Sequence, residues 1–327
     1  MPFVNPFSFG KVNVTQKASK GATKTVIAPS PTTNPKAPKP QQPTYGATEQ
    51  TLVYTDQKSL VAGALTQGST ILLPQQGIVE IDLNFASTIT GTVSNTGLDV
   101  ASHIDHIDFF DGDTGQNISS IPGGTYLYDH LVRFYSQPGA YVSTGSALSN
   151  ALGTSATSAA VVFRIPVQIP APASSPHKMI IYYASLSSAA GSATSVAVTN
   201  SVYARYGDAG SQWLCIRYQN VNLVSGMNFL NQIAVPANVP IRELFLRTGT
   251  ITSISWIQIM SGSTVVLPYT EETVIHGRDV ADYGSALQAT TLMLALGTQW
   301  SIGPSSQMYI NCSGAITGEQ LVWAFNQ

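Results

Sequence analysis

HIDHIDFFDGDTGQNISSIPGGTYLYDHLVRFY, residues His103 to Tyr135, has a second copy in the same chain. Moved forward by 150 positions, Ile104, Ile107, Phe109, Gly112 and Thr114 fall on Ile254, Ile257, Ile259, Gly262 and Thr264. A shift of 148 carries Thr125 and Tyr135 onto Thr273 and Tyr283. Each copy reads as a strand, a glycine turn, a second extended run and a short helix. The helix face is Tyr128, Leu131, Val132 and Tyr135 in the first copy and Val280, Tyr283, Gly284 and Leu287 in the second, at i, i+3, i+4, i+7. A weaker echo sets Ser174–Ile181 against Pro304–Ile310. A unit that recurs at long period is one structural element used twice, so two similar domains are expected.

The size agrees, since 327 residues exceed an ordinary single domain. Charged residues make up 10% of the chain and hydrophobic ones 43%, against roughly 25% charge in a typical soluble domain. A surface with so little charge is either polar through Ser, Thr, Asn and Gln or covered by other subunits, which favours an assembly protein over a lone enzyme. The net charge of -2 is unevenly divided. Residues 1–48 hold six lysines and no acid, while the rest carries nine Lys plus Arg against seventeen Asp plus Glu. Eight of the nineteen prolines also lie in residues 1–48, so this segment is an extended arm. Its anionic partner is either lipid headgroups or nucleic acid, and the bland alternative is a solubilising tail. At its start, Phe3, Val4, Phe7 and Phe9 are apolar side chains suited to a bilayer interface, to a neighbouring subunit, or to the chain's own body. Met1–Gly10, broken by Pro2 and Pro6, does not read as a secretory signal, and no apolar run is long enough for a membrane-spanning helix.

The strand pattern is clearest at Ile78–Phe85, where Val79, Ile81, Leu83 and Phe85 alternate with Glu80, Asp82 and Asn84 as in a half-buried strand. Further strands are read at Ile104–Phe110, Val161–Ile169, Met179–Ala184 and Val196–Tyr206. In the second half they fall at Trp213–Tyr218, Ile241–Arg247, Ile254–Ile259, Thr264–Leu267, Leu292–Leu296, Met308–Cys312 and Gln320–Phe325. Pro166 and Pro170 put Val161–Ile169 at an edge or bend. Gln57–Ala64 reads as a short helix, and Ser136–Ala160 and Ser185–Ser195 as long exposed loops. Many short strands and little helix favour an all-β protein of two tandem jelly-roll β-barrels or similar barrels, with a short helix in each. The boundaries are an arm at 1–48, a first barrel at 49–210 and a second at 211–327.

No catalytic constellation emerges. His103, Asp105, His106 and Asp108 are metal-capable, but on a strand they divide between two faces, so hydrogen-bonded strand residues are the better reading. Asp111-Gly112-Asp113-Thr114-Gly115 lacks the later bidentate Glu of a calcium loop, and as an aspartic-protease Asp-Thr-Gly it would need a second carboxylate that the matching Ser261-Gly262-Ser263-Thr264 does not supply. Turn formation is the ordinary use of such residues. Glu271 and Glu272 would point apart on a strand and make a poor acid/base pair. Cys215 and Cys312 read as buried free thiols rather than a bridge. Trp213, Trp256, Trp300 and Trp323 serve either the core of the second unit or a sugar-stacking platform. No metal, cofactor or catalytic residue is assigned.

Taken together, the repeated strand–turn–helix of Ile104–Tyr135 and Ile254–Tyr283, the Lys/Pro arm with Phe3, Phe7 and Phe9, and the low charge resemble the major capsid proteins of tailless icosahedral viruses with an internal membrane. This is the double jelly-roll lineage that includes bacteriophages PM2 and PRD1, and the size and arm look closest to its PM2-like members. The resemblance implies a structural, non-enzymatic virion protein assembled in the host cytoplasm. It implies a pseudo-hexagonal homotrimer tiling an icosahedral shell, with neighbouring trimers and minor capsid or vertex proteins as partners. It also implies an inward arm in which Phe3, Phe7 and Phe9 enter the internal membrane while Lys11, Lys17, Lys20 and Lys24 meet anionic headgroups at about 1 kcal/mol each. Sequence-specific nucleic-acid binding is not implied. Some relatives bind calcium, which keeps Asp111 and Asp113 as a candidate. The competing classes are a secreted or surface jelly-roll carbohydrate-binding module and a β-barrel enzyme, the latter disfavoured by the lack of a catalytic constellation.

Overall fold

A computed structural model describes residues 50–93, 100–124, 126–127, 157–230, 241–247, 253–283, 291–295 and 306–327. The arm and its site residues Phe3, Phe7, Phe9, Lys11, Lys17, Lys20 and Lys24 lie outside the described residues, as do Tyr128, Leu131, Val132, Tyr135 and Trp300.

In the first half the strands are β1 (Gln50–Ser59), β2 (Thr66–Gln67), β3 (Ile71–Leu72), β4 (Ile78–Gly91), β5 (Ile104–Phe110), β6 (Asn117–Pro122), β7 (Ser158–Ile169), β8 (Lys178–Tyr183) and β9 (Ala193–Tyr206). They form two sheets, β1-β9-β4-β7 and β2-β8-β5-β6, with β3 also on β8. If β2 and β3 count as one broken strand, the orders are 1-8-3-6 and 2-7-4-5. The second half has β10 (Leu214–Leu223), β11 (Gly226–Leu230), β12 (Ile241–Arg247), β13 (Ile254–Ser261), β14 (Thr264–Glu271), β15 (Thr291–Ala295), β16 (Ser306–Cys312) and β17 (Ile316–Asn326). Its sheets, β10-β17-β12-β15 and β11-β16-β13-β14, give the same two orders, 1-8-3-6 and 2-7-4-5. Two four-stranded antiparallel sheets wound in that order are a jelly roll, and the chain contains two.

The repeat lies at equivalent places. β5 and β13 are each the fourth strand, and Ile104, Ile107 and Phe109, like Ile254, Ile257 and Ile259, are buried. The echo is the seventh strand, and it meets the fourth in the same register. Ile107 lies opposite Ile181 and Phe109 opposite Met179; Ile257 lies opposite Ile310 and Ile259 opposite Met308. The helix follows the fifth strand in both barrels. Gly124, Tyr126 and Leu127 are helical just after β6, and α2 (Glu272–Tyr283) begins where β14 ends.

Three expectations need correction. Gln57–Ser59 belongs to β1, not to a helix, because their pairing with Thr199, Val198 and Ala197 outweighs local propensity. Ser185–Ser195 is not an exposed loop: Leu186–Ala190 forms helix α1, and Ala193–Ser195 already belongs to β9. Ser185 caps α1 by accepting from the Ser188 amide, and Gly191 ends it at φ 63°. Ala189 and Ala190 are fully buried, so this helix face needs small side chains. The polar side of β4 is not solvated either, since Glu80 is 0% and Asp82 3% exposed. Arg205 Nε reaches Glu80 Oε1 at 2.8 Å and Asp82 Oδ2 at 3.1 Å, and Arg164 adds a contact to Glu80 at 3.2 Å. Burial, reinforced by Glu80 and partly offset by Arg205, pushes the Asp82 carboxyl up to about 6. Strands β1, β2, β3 and β11 were not expected from the sequence. Val161–Ile169 is indeed an edge strand, and Pro166 sits opposite Glu80 beside a register shift.

Candidate functional site: the seam between the barrels

On β5 the inward isoleucines leave Asp105, His106 and Asp108 to other surroundings, and His106 and Asp108 meet the second barrel. Strand β10 comes against β6, edge to edge. The Ile216 amide donates to Ser119 Oγ at 2.9 Å, and Arg217 Nη1 donates to Asn117 Oδ1 at 2.8 Å. Arg217 Nη2 also donates to the Asn117 carbonyl oxygen. The planar guanidinium thus takes two acceptors of one residue, which its fixed fork favours.

His106 is sandwiched nearby. Its ring stacks on Tyr182 at 4.3 Å and faces Tyr218 of β10 at 6.2 Å. Its Nδ1 lies 2.6 Å from Asp105 Oδ2, and its Nε2 lies 3.8 Å from Asp108 Oδ2. Asp108 in turn accepts from Ser120 Oγ at 2.5 Å. Burial, with help from Asp105 and Asp108, pushes the Tyr218 hydroxyl up to about 12. Arg217 is lowered by burial, against the pull of Cys215 and Asp108. The narrow recess in the seam is lined by Phe109, Ser119, Ile121, Pro166, Trp213 and Ile216, and it has room for about one water molecule. A joint so filled holds two bodies together and offers no substrate space.

The other candidate residues have structural employment. His103 is fully buried and stacks on Phe85 at 5.7 Å, with neither ring nitrogen hydrogen-bonded; burial pushes it down to about 4. It is therefore separate from His106, and the four metal-capable residues do not converge. Asp113 accepts from the amides of Ala173, Ser174 and Ser175 and from Ser174 Oγ, which holds its carboxyl down to about 2. Asp111 accepts from Thr114, and the Gly112 amide donates to His177 Nδ1 at 2.9 Å. These acids clamp a turn. His177 then packs edge-on against Trp213 at 4.6 Å, just before β10.

Cys215 and Cys312 are buried and unbridged. Trp213 and Trp323 are buried, whereas Trp256 lies on the outer side of β13 beside Tyr269 of β14 at 4.9 Å. Glu271 closes β14 and Glu272 opens α2. No helix among the described residues is long and apolar enough to cross a membrane. Sequence reading missed the seam itself, although its signal was present: Asp105, His106 and Asp108 become Ser255, Trp256 and Gln258 in the second copy, while the isoleucines stay.

No family model matches the chain, and no curated relative does. Solved structures do match. The MCP of STIV, Sulfolobus Turreted Icosahedral Virus, aligns at a TM-score of 0.60 with 9% identity, over 86% of this chain and 96% of that one. The PBCV-1 virus capsid aligns at 0.55 with 12% identity, over 86% and 94%. PBCV-1 VP54, fitted into a reconstruction of the virophage Sputnik, aligns at 0.52 with 11% identity over the same shares. The chain has the double jelly-roll fold of these viral capsid proteins.

Proposed function

We propose that this chain is a viral major capsid protein, a structural protein without catalytic activity. Its copies form pseudo-hexagonal homotrimers that tile an icosahedral shell over an internal membrane, in a bacteriophage of the PM2/PRD1 kind. The observation that carries the reading is one chain holding two jelly rolls of identical strand order, joined edge to edge by a filled seam. Three such chains supply six similar units, and so a nearly hexagonal tile. The scarcity of charge suits a surface mostly covered by neighbours. The division at 210/211 belongs to this proposal and falls in the Gly207–Trp213 link between β9 and β10. Minor capsid or vertex proteins complete the partner set, and assembly takes place in the host cytoplasm.

Light scattering on the purified protein tests the core of the proposal: a trimer is expected, and a monomer at all concentrations would refute it. For the arm, with Phe3, Phe7, Phe9, Lys11, Lys17, Lys20 and Lys24, deletion of residues 1–25 is expected to leave the oligomer folded and weaken binding to anionic liposomes. Unchanged liposome binding would refute the inward, lipid-facing arm. One observation favours a second reading, a carbohydrate-binding module: the Trp256–Tyr269 aromatic pair on an open sheet face. Quenching of tryptophan fluorescence by members of a glycan panel would support it, and a flat response would remove it.

A further inference from the structure

We infer that the outer face of β13 and β14 is the docking site for strand β1 of a second copy, with Leu52 seated against Trp256 and Tyr269. The inference rests on the capsid reading and names the surface through which copies join. Its ground is that the chain already contains the same joint once, between β10 and the β5–β6 hairpin.

Strand registers give the correspondence residue by residue. The third strands of the barrels slip at the same place, β4 between Ile78 and Glu80 and β12 between Ile241 and Glu243. Glu80 pairs with Arg205 and Glu243 with Ala324, so Arg205 and Ala324 are equivalent in the eighth strands. Counting back one and two positions, Thr51, opposite Ala204, takes the place of Arg217, opposite Trp323. Leu52, opposite Tyr203, takes the place of Tyr218, opposite Val322. On the receiving hairpins, Phe110 pairs with Asn117 and Met260 with Val265, so Val265 stands where Asn117 does. His106 pairs with Pro122 and Trp256 with Glu271, so Trp256 stands where His106 does.

Inside the chain, Arg217 grips Asn117, and Tyr218 faces a histidine held between two carboxylates. At the two free ends the ionic and hydrogen-bonding partners of that joint are replaced together, largely by apolar ones. Arg217 and Tyr218 give way to Thr51 and Leu52, while Asn117 and His106 give way to Val265 and Trp256. Among the described residues both halves are open, with Leu52 51%, Val265 49% and Tyr269 56% exposed. An edge strand and an apolar face left open are association hazards unless they cover each other. The pairing also fixes the order of assembly. Strand β1 placed on the β5–β6 hairpin would bury Asp105 and Asp108 without Arg217, and Arg217 placed on Trp256 and Val265 would lose its side-chain acceptor, Asn117 Oδ1. The contact is therefore head to tail, second barrel to first barrel of the next copy, and repeats until a ring closes.

The test uses the full-length chain. Leu52→Asp and Trp256→Asp are each expected to weaken association about 30-fold or more, as at interface hot spots, with the far-ultraviolet circular dichroism of the wild type retained. Combining Leu52→Asp with Trp256→Arg is expected to restore much of the loss. As an independent measurement, Leu52→Cys with Tyr269→Cys and a short bismaleimide should give covalent species between chains, since Cys215 and Cys312 are buried. Trimers that persist in both aspartate variants, with no cross-linking of the cysteine pair, would overturn this inference while leaving the capsid reading intact. A wild type that is monomeric throughout would overturn the capsid reading itself, and this inference with it.

Discussion

Replacing His103 by Leu should remove an acid sensitivity built into the first barrel. The folded imidazole, stacked on Phe85 with both nitrogens unpaired, is pushed by burial down to about 4 from an ordinary 6.5. As pH falls below 6.5 the unfolded chain takes up a proton that the folded chain refuses until about pH 4. Stability present at neutral pH is therefore lost on acidification. Linkage puts the loss at about 2 kcal/mol by pH 5 and about 3 kcal/mol by pH 4. Asp82 acts the opposite way. Its carboxyl is raised to about 6, chiefly by burial, so the folded chain takes up that proton first and gains about 2 kcal/mol between pH 7 and pH 4. The two effects oppose each other in the wild-type profile. The informative quantity is the difference between wild type and His103→Leu, from urea unfolding followed by tryptophan fluorescence at one protein concentration across pH 4–7. The difference should widen toward acid in favour of the variant by about 3 kcal/mol. A gap that stays constant over this range would refute the reasoning. Asp82→Asn, run beside it, should leave the acid loss uncovered.

Three more outcomes follow from the same geometry. A Cβ on Gly112 would meet the Ser175 carbonyl oxygen at 1.9 Å, so Gly112→Ala should cost about 2 kcal/mol or more in the denaturation midpoint. Gly115, at φ 70° with nothing within 4 Å, should lose only about 1 kcal/mol on the same change. Arg217→Ala should cost about 1–3 kcal/mol by stranding Asn117 at the seam, and Arg217→Lys should not restore it, because a single ammonium does not reproduce the fork. The Cys215 thiol, pushed up to about 12 by burial, should react with a disulfide reagent at pH 8 only after denaturant is added; prompt reaction in the native protein would contradict that burial.

Much of the fold was legible because the inner faces are conservative in chemistry. Ile104, Ile107 and Phe109 match Ile254, Ile257 and Ile259 in the one environment, a barrel interior, that both copies must fill. Even the cross-strand partners are kept, as with Met179 and Met308. What misled were segments where tertiary contacts override local preference. Gln57–Ser59 has helix-forming residues but is held by β9, and Ser185–Ser195 looks like linker until Ala189 and Ala190 are seen packed. Glu80 and Asp82 read as a wet face because alternation cannot reveal that Arg164 and Arg205, 84 and 123 residues away, will close over them. The seam was hidden for a related reason. His106 and Asp108 carry no motif, and their partners Arg217 and Tyr218 lie in another barrel.

The short link between the barrels accounts for the different chemistry of the two joints. Only the seven residues from Gly207 to Trp213 separate β9 from β10, so the second barrel meets the first at an effective concentration in the millimolar range or above. A tether of that kind has already lost most of the entropy of meeting, and a modest, directional set of ionic and hydrogen-bonded contacts is enough to set the angle between the barrels. Two separate copies have no such advantage. They must collide from dilute solution and stay together against lost translational freedom, which calls for the apolar anchors Leu52, Val265, Trp256 and Tyr269. The internal joint can thus be tuned for geometry, and the external one for adhesion.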